Sequence, residues 1–273
     1  MQEKIGFIGG GHMTAAIISG LVKNTDPATI SVSNRSQAKL ASLAQQFGVY
    51  AAADNAEVVS RSDVVVLSVK PQVMQAVLEP LATDFQQQKP LLISVAAGIK
   101  CRSLLDWVNE KLPLIRAMPN VPSAIGEGAT GLFANPLVEA HHKKIAEGIF
   151  NAIGLSAWVE QENEIDLVTA LSGSGPAYVM LLLKAMIDAA VARGMSHQSA
   201  HTLALQTVRG TAGVIASNDK PIAQWIEEML LPGGTTEQAV AALRQHAVPQ
   251  AVDAAIDAAC KRAEQLAKEL GKG

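Results

Sequence analysis

Two glycine-rich turns hold the residues best suited to chemistry. The first, Gly9-Gly10-Gly11-His12-Met13-Thr14-Ala15, follows the apolar run Ile5-Gly6-Phe7-Ile8 and leads into a helical pattern. In that context Gly9 permits a tight turn. Gly11 lets a pyrophosphate approach backbone N–H groups at a helix N-terminus, where the helix dipole favours negative charge. The third motif position is Thr14, whose bulk falls where the helix should lie close to the strand. The second turn, Pro232-Gly233-Gly234-Thr235-Thr236-Glu237-Gln238, also enters a helix. Thr235 is placed to cap that helix, with Gln238 three residues on as in a capping box. Successive backbone N–H groups in such a turn suit a small carboxylate.

Ser31-Val32-Ser33-Asn34-Arg35-Ser36 ends a second β-branched run without the carboxylate that would hold an NAD ribose. Asn34, Arg35 and Ser36 offer a guanidinium and uncharged donors, which favour a 2'-phosphate and therefore NADPH, with NADH as the alternative donor. Later strand ends should face the same ligand: Val69-Lys70-Pro71, then Ala96-Ala97-Gly98, whose small residues admit a flat ring, then Met118-Pro119-Asn120.

Strands are expected at Ile5 to Ile8, Ile30 to Ser33, Val64 to Val69, Leu91 to Val95 and Leu114 to Arg116, with helical patterns between them, one of them N-capped by Ser36. That alternation predicts an α/β Rossmann-type domain with a parallel sheet over residues 1–160. Beyond it the chain is Ala-rich and 3.6-periodic. Helices are expected at Pro176 to Arg193, Ser199 to Ser217, Ile222 to Met229, Thr236 to Arg244 and Ala251 to Leu270, giving an all-α domain over 161–273. Leu171 to Tyr178 reads as a Ser-capped helix start with Pro176 in its first turn.

The chain has 273 residues, 49% hydrophobic and 17% charged, enough to bury full cores. Its net charge of -3 gives no global field for nucleic acid or an anionic membrane. Apolar runs such as Tyr178 to Leu183 stop at a charge, here Lys184, short of a membrane span, and the N-terminus shows no export signal. The two cysteines and six histidines lack metal-ligand spacing, so no metal is expected and a reducing cytoplasm fits.

The first turn, Ser68-Val69-Lys70-Pro71, Ser94 to Gly98, Met118-Pro119-Asn120, Leu171 to Tyr178 and Leu231-Pro232-Gly233-Gly234-Thr235-Thr236 together resemble pyrroline-5-carboxylate reductase along nearly the whole chain. The resemblance implies reduction of 1-pyrroline-5-carboxylate to L-proline with NAD(P)H, by obligate homodimers built through the helical domain and often assembled into decamers. It implies that the loop around Gly233 and Gly234 binds the substrate carboxylate, with Leu231 standing where many members have Ser, and that Thr235 belongs to that substrate site. It also implies that Thr236, the catalytic candidate, lies near the imine nitrogen, and that Thr169 lies near the nicotinamide. The cofactor-binding candidates are then Gly9, Gly11, His12, Met13, Asn34, Arg35, Ser36, Asn55, Val69, Lys70, Pro71, Ala96, Ala97, Asn120 and Thr169. Two other classes stay open on the residues alone. One is a 3-hydroxyacid dehydrogenase, whose catalytic Lys would have to be Lys184, and the other is a non-catalytic NADP-binding sensor.

Overall fold

The computed structural model describes residues 3–271. Its first half alternates β1 (Ile5–Ile8), α1 (His12–Leu21), β2 (Ile30–Ser33), α2 (Gln37–Phe47), β3 (Tyr50–Ala51), α3 (Asn55–Arg61) and β4 (Val64–Leu67). After these come α4 (Met74–Leu78), α5 (Ala82–Gln88), β5 (Leu91–Ser94), α6 (Cys101–Val108), β6 (Leu114–Met118), β7 (Gly128–Ala134), α7 (Ala140–Asn151) and β8 (Gly154–Trp158). The strands form one sheet in the order β3-β2-β1-β4-β5-β6-β7-β8. The first six are parallel, as the alternating pattern predicts. β7 runs antiparallel to β6, and β8 parallel to β7, so the sheet is mixed. Only a short 3-10 turn, Val121–Ile125, leads from β6 to β7. A parallel return needs a crossover of a dozen or more residues.

The sheet separates two cores. Phe7, Ile17, Ile18 and Phe150 pack on one face. Val65, Leu67, Phe85 and Leu104 pack on the other. Central strands buried on both faces explain the unbroken Val and Leu runs of β4 and β5.

The second half is helical: α8 (Glu164–Val168), α9 (Gly175–Val191), α10 (His197–Ala216), α11 (Ile222–Met229), α12 (Thr235–Gln245) and α13 (Val248–Leu270). Ser196 caps α10 by accepting the Ser199 N–H. Pro249 stands in the first turn of α13 and does not end a helix there, because that turn has no intrahelical donor to lose.

The expected Ser cap before Pro176 is absent. α8 continues through a π-turn, Thr169–Gly173, into α9, and Ser174 donates its N–H back to Thr169 O at 2.8 Å. The Ser172 hydroxyl donates to Val168 O, so it serves the preceding turn. Because the helix does not break, Glu164–Val191 forms a run of 28 residues, with a mean hydropathy of 1.3 over an 18-residue window within it. By length and composition that is enough to cross a membrane.

The chain divides into two compact units. One contains the residues up to Ser174 together with those from Ala258 on, and the other is Gly175–Asp257. The second half of α13, from Ala258 on, therefore belongs with the sheet, where Leu266 lies against Gly98.

Candidate active site

The turn after β1 is built for close approach. Gly9 has φ +105°, and a Cβ there would stand 2.6 Å from Ser68 O. Gly11 precedes α1 in extended conformation with open space where its Cβ would be. Gly10 donates its N–H to Asn34 Oδ1 at 3.3 Å. The next N–H groups, of Gly11, His12 and Met13, have no protein acceptor among the described residues and point along the start of α1. Thr14 is no loose substitution for a small residue. It is fully buried, and its hydroxyl lies 2.6 Å from Gly9 O and 2.9 Å from Ser68 Oγ, tying the turn to the end of β4.

One cleft of about 460 Å3 is lined by Gly9, Gly11, Asn34, Arg35, Ser36, Asn55, Val69 and Lys70, eight positions singled out in the sequence. Gly10, Ser33, Ser68, Val73, Val77 and Lys39 complete it. Lys39 is the notable addition. It lies in the first turn of α2 and brings a second cation to the cleft that Arg35 lines from just before that helix. Ser36 is the N-cap of α2 by backbone conformation, yet its hydroxyl makes no cap bond and remains available to the cleft. Asn34 is largely spent on structure, since its Nδ2 donates to Ser36 O at 3.1 Å while its Oδ1 holds Gly10. Asn55 accepts the Ser33 hydroxyl at 2.6 Å.

Other candidates lie elsewhere. His12 lines the adjoining hollow over α1 and α2. Met13 packs against the core and can offer only its backbone. Pro71 opens the 3-10 turn after Lys70. Ala96 is buried in the core on the α6 side of the sheet, while Ala97 is half-buried. Gly98 owes its small size to φ +74° and to Leu266, whose Cβ would lie 3.0 Å from an added one. Asn120 is a buried strut: its Nδ2 donates to Ser172 O and its Oδ1 accepts from Ala129 N, both at 2.9 Å. It thereby fastens the π-turn to the end of β6. Thr169 opens that turn, its hydroxyl donating to Ile165 O at 2.8 Å.

In the second unit, the loop before α12 differs from the capping box expected of Thr235 and Gln238. Gly234, extended at φ −78° and ψ 158°, is the N-cap and Thr235 the first helical residue. Helical backbone at Thr235 removes it from the capping position. Glu237 reaches back instead, accepting the Gly233 N–H at 2.8 Å, and Gly234 donates to Leu231 O. Gly233 supplies the left-handed φ of +74° that the turn requires. The N–H groups of Thr235 and Thr236 stay without acceptors among the described residues, and neither hydroxyl is used for capping. Leu231 is exposed. Lys184 is exposed and paired with Asp188 one turn along α9.

Residues 162–266 match the family described as pyrroline-5-carboxylate reductase dimerisation, and residues 4–98 match the one described as NADP oxidoreductase, coenzyme F420-dependent. The chain is 40% identical over 270 residues to the pyrroline-5-carboxylate reductase of Pseudomonas aeruginosa, covering 98% of each. Its structure resembles that of a pyrroline-5-carboxylate reductase from Coxiella burnetii with a TM-score of 0.93 at 39% identity, covering 97% of this chain and 99% of that one. It also resembles the Plasmodium falciparum pyrroline carboxylate reductase solved with NADP bound, at a TM-score of 0.85 and 28% identity, covering 97% and 98%. With likeness that spans both halves and nearly every residue, the chain belongs to the pyrroline-5-carboxylate reductase family.

Proposed function

We propose that the protein reduces 1-pyrroline-5-carboxylate to L-proline, the last step of proline biosynthesis, in the cytoplasm and as a homodimer joined through residues 161–273. The observation that carries this reading is identity to reductases of this name over the whole length, with an open glycine turn at the head of α1. The hydride comes from NADPH, with NADH the poorer donor. Arg35, Lys39 and the free Ser36 hydroxyl would hold the 2'-phosphate, and the unpaired N–H groups at the start of α1 the pyrophosphate. Residues 1–160 serve as the dinucleotide domain.

The cofactor supplies a hydride to the imine carbon, and the nitrogen takes one proton to become the amine of proline. A protonated imine is already electrophilic, so the chain's task is orientation and charge placement. The N–H groups of Thr235 and Thr236 bind the substrate carboxylate, with the turn of Gly233 and Gly234 giving them access. The Thr236 hydroxyl hydrogen-bonds the reacting nitrogen. Leu231 adds apolar contact and no hydrogen bond. The surface pair of Lys184 and Asp188 argues against Lys184 as the catalytic group of a 3-hydroxyacid dehydrogenase. Purified protein should oxidise NADPH only when 1-pyrroline-5-carboxylate is supplied. Loss of reduced nicotinamide absorbance at the same rate with and without the imine would reject the assignment.

A further inference from the structure

A second cleft lies away from the glycine turn, between the start of α6, the start of α8 and the end of α13. Its volume is about 490 Å3, and Lys100, Ser103, Asn163, Asp166, Glu264 and Lys268 line it. All of these residues belong to the sheet-bearing unit. Asp166 is the decisive member. It is only 7% exposed, and its carboxyl has no hydrogen-bond partner among the described residues, although its backbone carbonyl lies near Cys260 Sγ. Burial raises its pKa from the ordinary aspartate value, against the pull of Arg116 and Lys100. The nearby buried Arg116 binds Glu162 at 3.1 Å and makes no hydrogen bond to Asp166. A desolvated carboxyl without a partner costs free energy, and one that opens onto a cleft can be satisfied there by a ligand.

The rim decides the ligand's charge. Lys100 and Lys268 oppose a bare cation, while Asp166 and Glu264 oppose a bare anion, and none of these four groups forms an ion pair within the described residues. Two ammonium and two carboxylate groups around a small volume complement a neutral molecule carrying one charge of each sign. We propose that this cleft is a second ligand site, for a small amino-acid zwitterion, with its ammonium on Asp166 and Glu264 and its carboxylate on Lys100 and Lys268. Asp166 sits three residues before the π-turn, on the helix that leads into it, so an occupant would touch the element that Asn120 fastens to the sheet.

Titration calorimetry of the full-length protein with L-proline tests the site, comparing wild type, Asp166→Asn, Lys268→Glu and Thr236→Ala. Thr236→Ala perturbs only the proposed reaction site, so binding at the cleft should survive it. Lys268→Glu and Asp166→Asn should weaken that binding about tenfold or more, as expected for loss of a charge-assisted contact. Asn relieves the burial of a charge, and Lys268 is exposed, so both variants should keep the wild-type melting temperature. L-Proline binding that is unchanged in both cleft variants, or that disappears only in Thr236→Ala, would overturn the proposal without touching the assigned reaction. Loss of catalysis with cleft binding intact would do the reverse.

Discussion

The sheet-bearing unit and the helical unit handle their apolar side chains in opposite ways. In the first, Phe7, Phe85 and Phe150 are wholly excluded from solvent, and the central strands are buried from end to end. In the second, over Gly175–Asp257, Ile187 and Ala200 are the buried apolar residues, while Val179, Met180, Leu181 and Leu182 stand exposed on α9, Leu181 by 71%. Exposed apolar area on that scale marks an interaction surface. One unit closes its own core, and the other presents half of one. The family match of residues 162–266 to a dimerisation region says what a chain of this kind does with such a surface.

The comparison breaks most sharply at α9. A charge placed there, as in Leu181→Glu, should cost several kcal/mol at a covered apolar surface and dissociate the dimer with loss of nearly all activity. Sedimentation and steady-state rates on one sample check it. A variant that remains dimeric and active would mean that this face is open to solvent in the working protein.

In the self-contained unit the sharpest constraint is backbone. Gly9→Ala puts a Cβ at φ +105° and 2.6 Å from Ser68 O, so we expect a loss of about 2–4 kcal/mol in stability, cofactor binding or both. Melting curves with and without NADPH separate the two contributions. Wild-type melting and affinity would mean that the turn yields easily.

Thr236→Ala probes the helical unit's chemistry. Since Gly234 provides the cap, the substitution should leave the melting temperature unchanged and reduce kcat/KM by roughly 10 to 100-fold, or about 1.5–3 kcal/mol, with NADPH affinity retained. A lower melting temperature with normal kcat/KM would reduce Thr236 to a support for the helix. The smallest effect belongs to the exposed cations of the cleft. Arg35→Ala and Lys39→Ala should each narrow the preference for NADPH over NADH by roughly three- to tenfold, limited by solvent screening. Equal kcat/KM for the two cofactors in the wild type would show that these cations do not read the 2'-phosphate.

Much of the frame was legible in the residues. β1, β2, β4 and β5 are β-branched or apolar runs bounded by turns, and the long helices announce themselves by periodicity. β7 was not legible, because Gly128-Ala129-Thr130-Gly131 lacks alternation. Its glycines answer to neighbours outside the strand, Gly131 to Val168 and Gly128 to Ser123 and the Ile153 carbonyl. Eight cleft residues were foreseen: Gly9 and Gly11 from the glycine turn, Asn34, Arg35, Ser36, Val69 and Lys70 from the ends of strands, and Asn55 from the resemblance. Lys39 went unremarked because a single surface lysine on a helix carries no signal until the fold brings it to the cleft that Arg35 lines.

The sequence by itself determined the α/β order of the first half, the helical second half and the two glycine turns, because these depend on local conformation and on periodicities of two to four residues, and its ordered motifs carried the resemblance to the family. Tertiary structure alone decided the reversal of β7, the continuous helix through the π-turn, Asn120 as a strut, Thr14 as a tie and the return of α13 to the sheet. It also set the buried, unpartnered carboxyl of Asp166 among charges from three helices. Each of these is an agreement between groups distant in sequence, and hydrogen bonds and packing across such distances take effect only when the chain has brought both partners together.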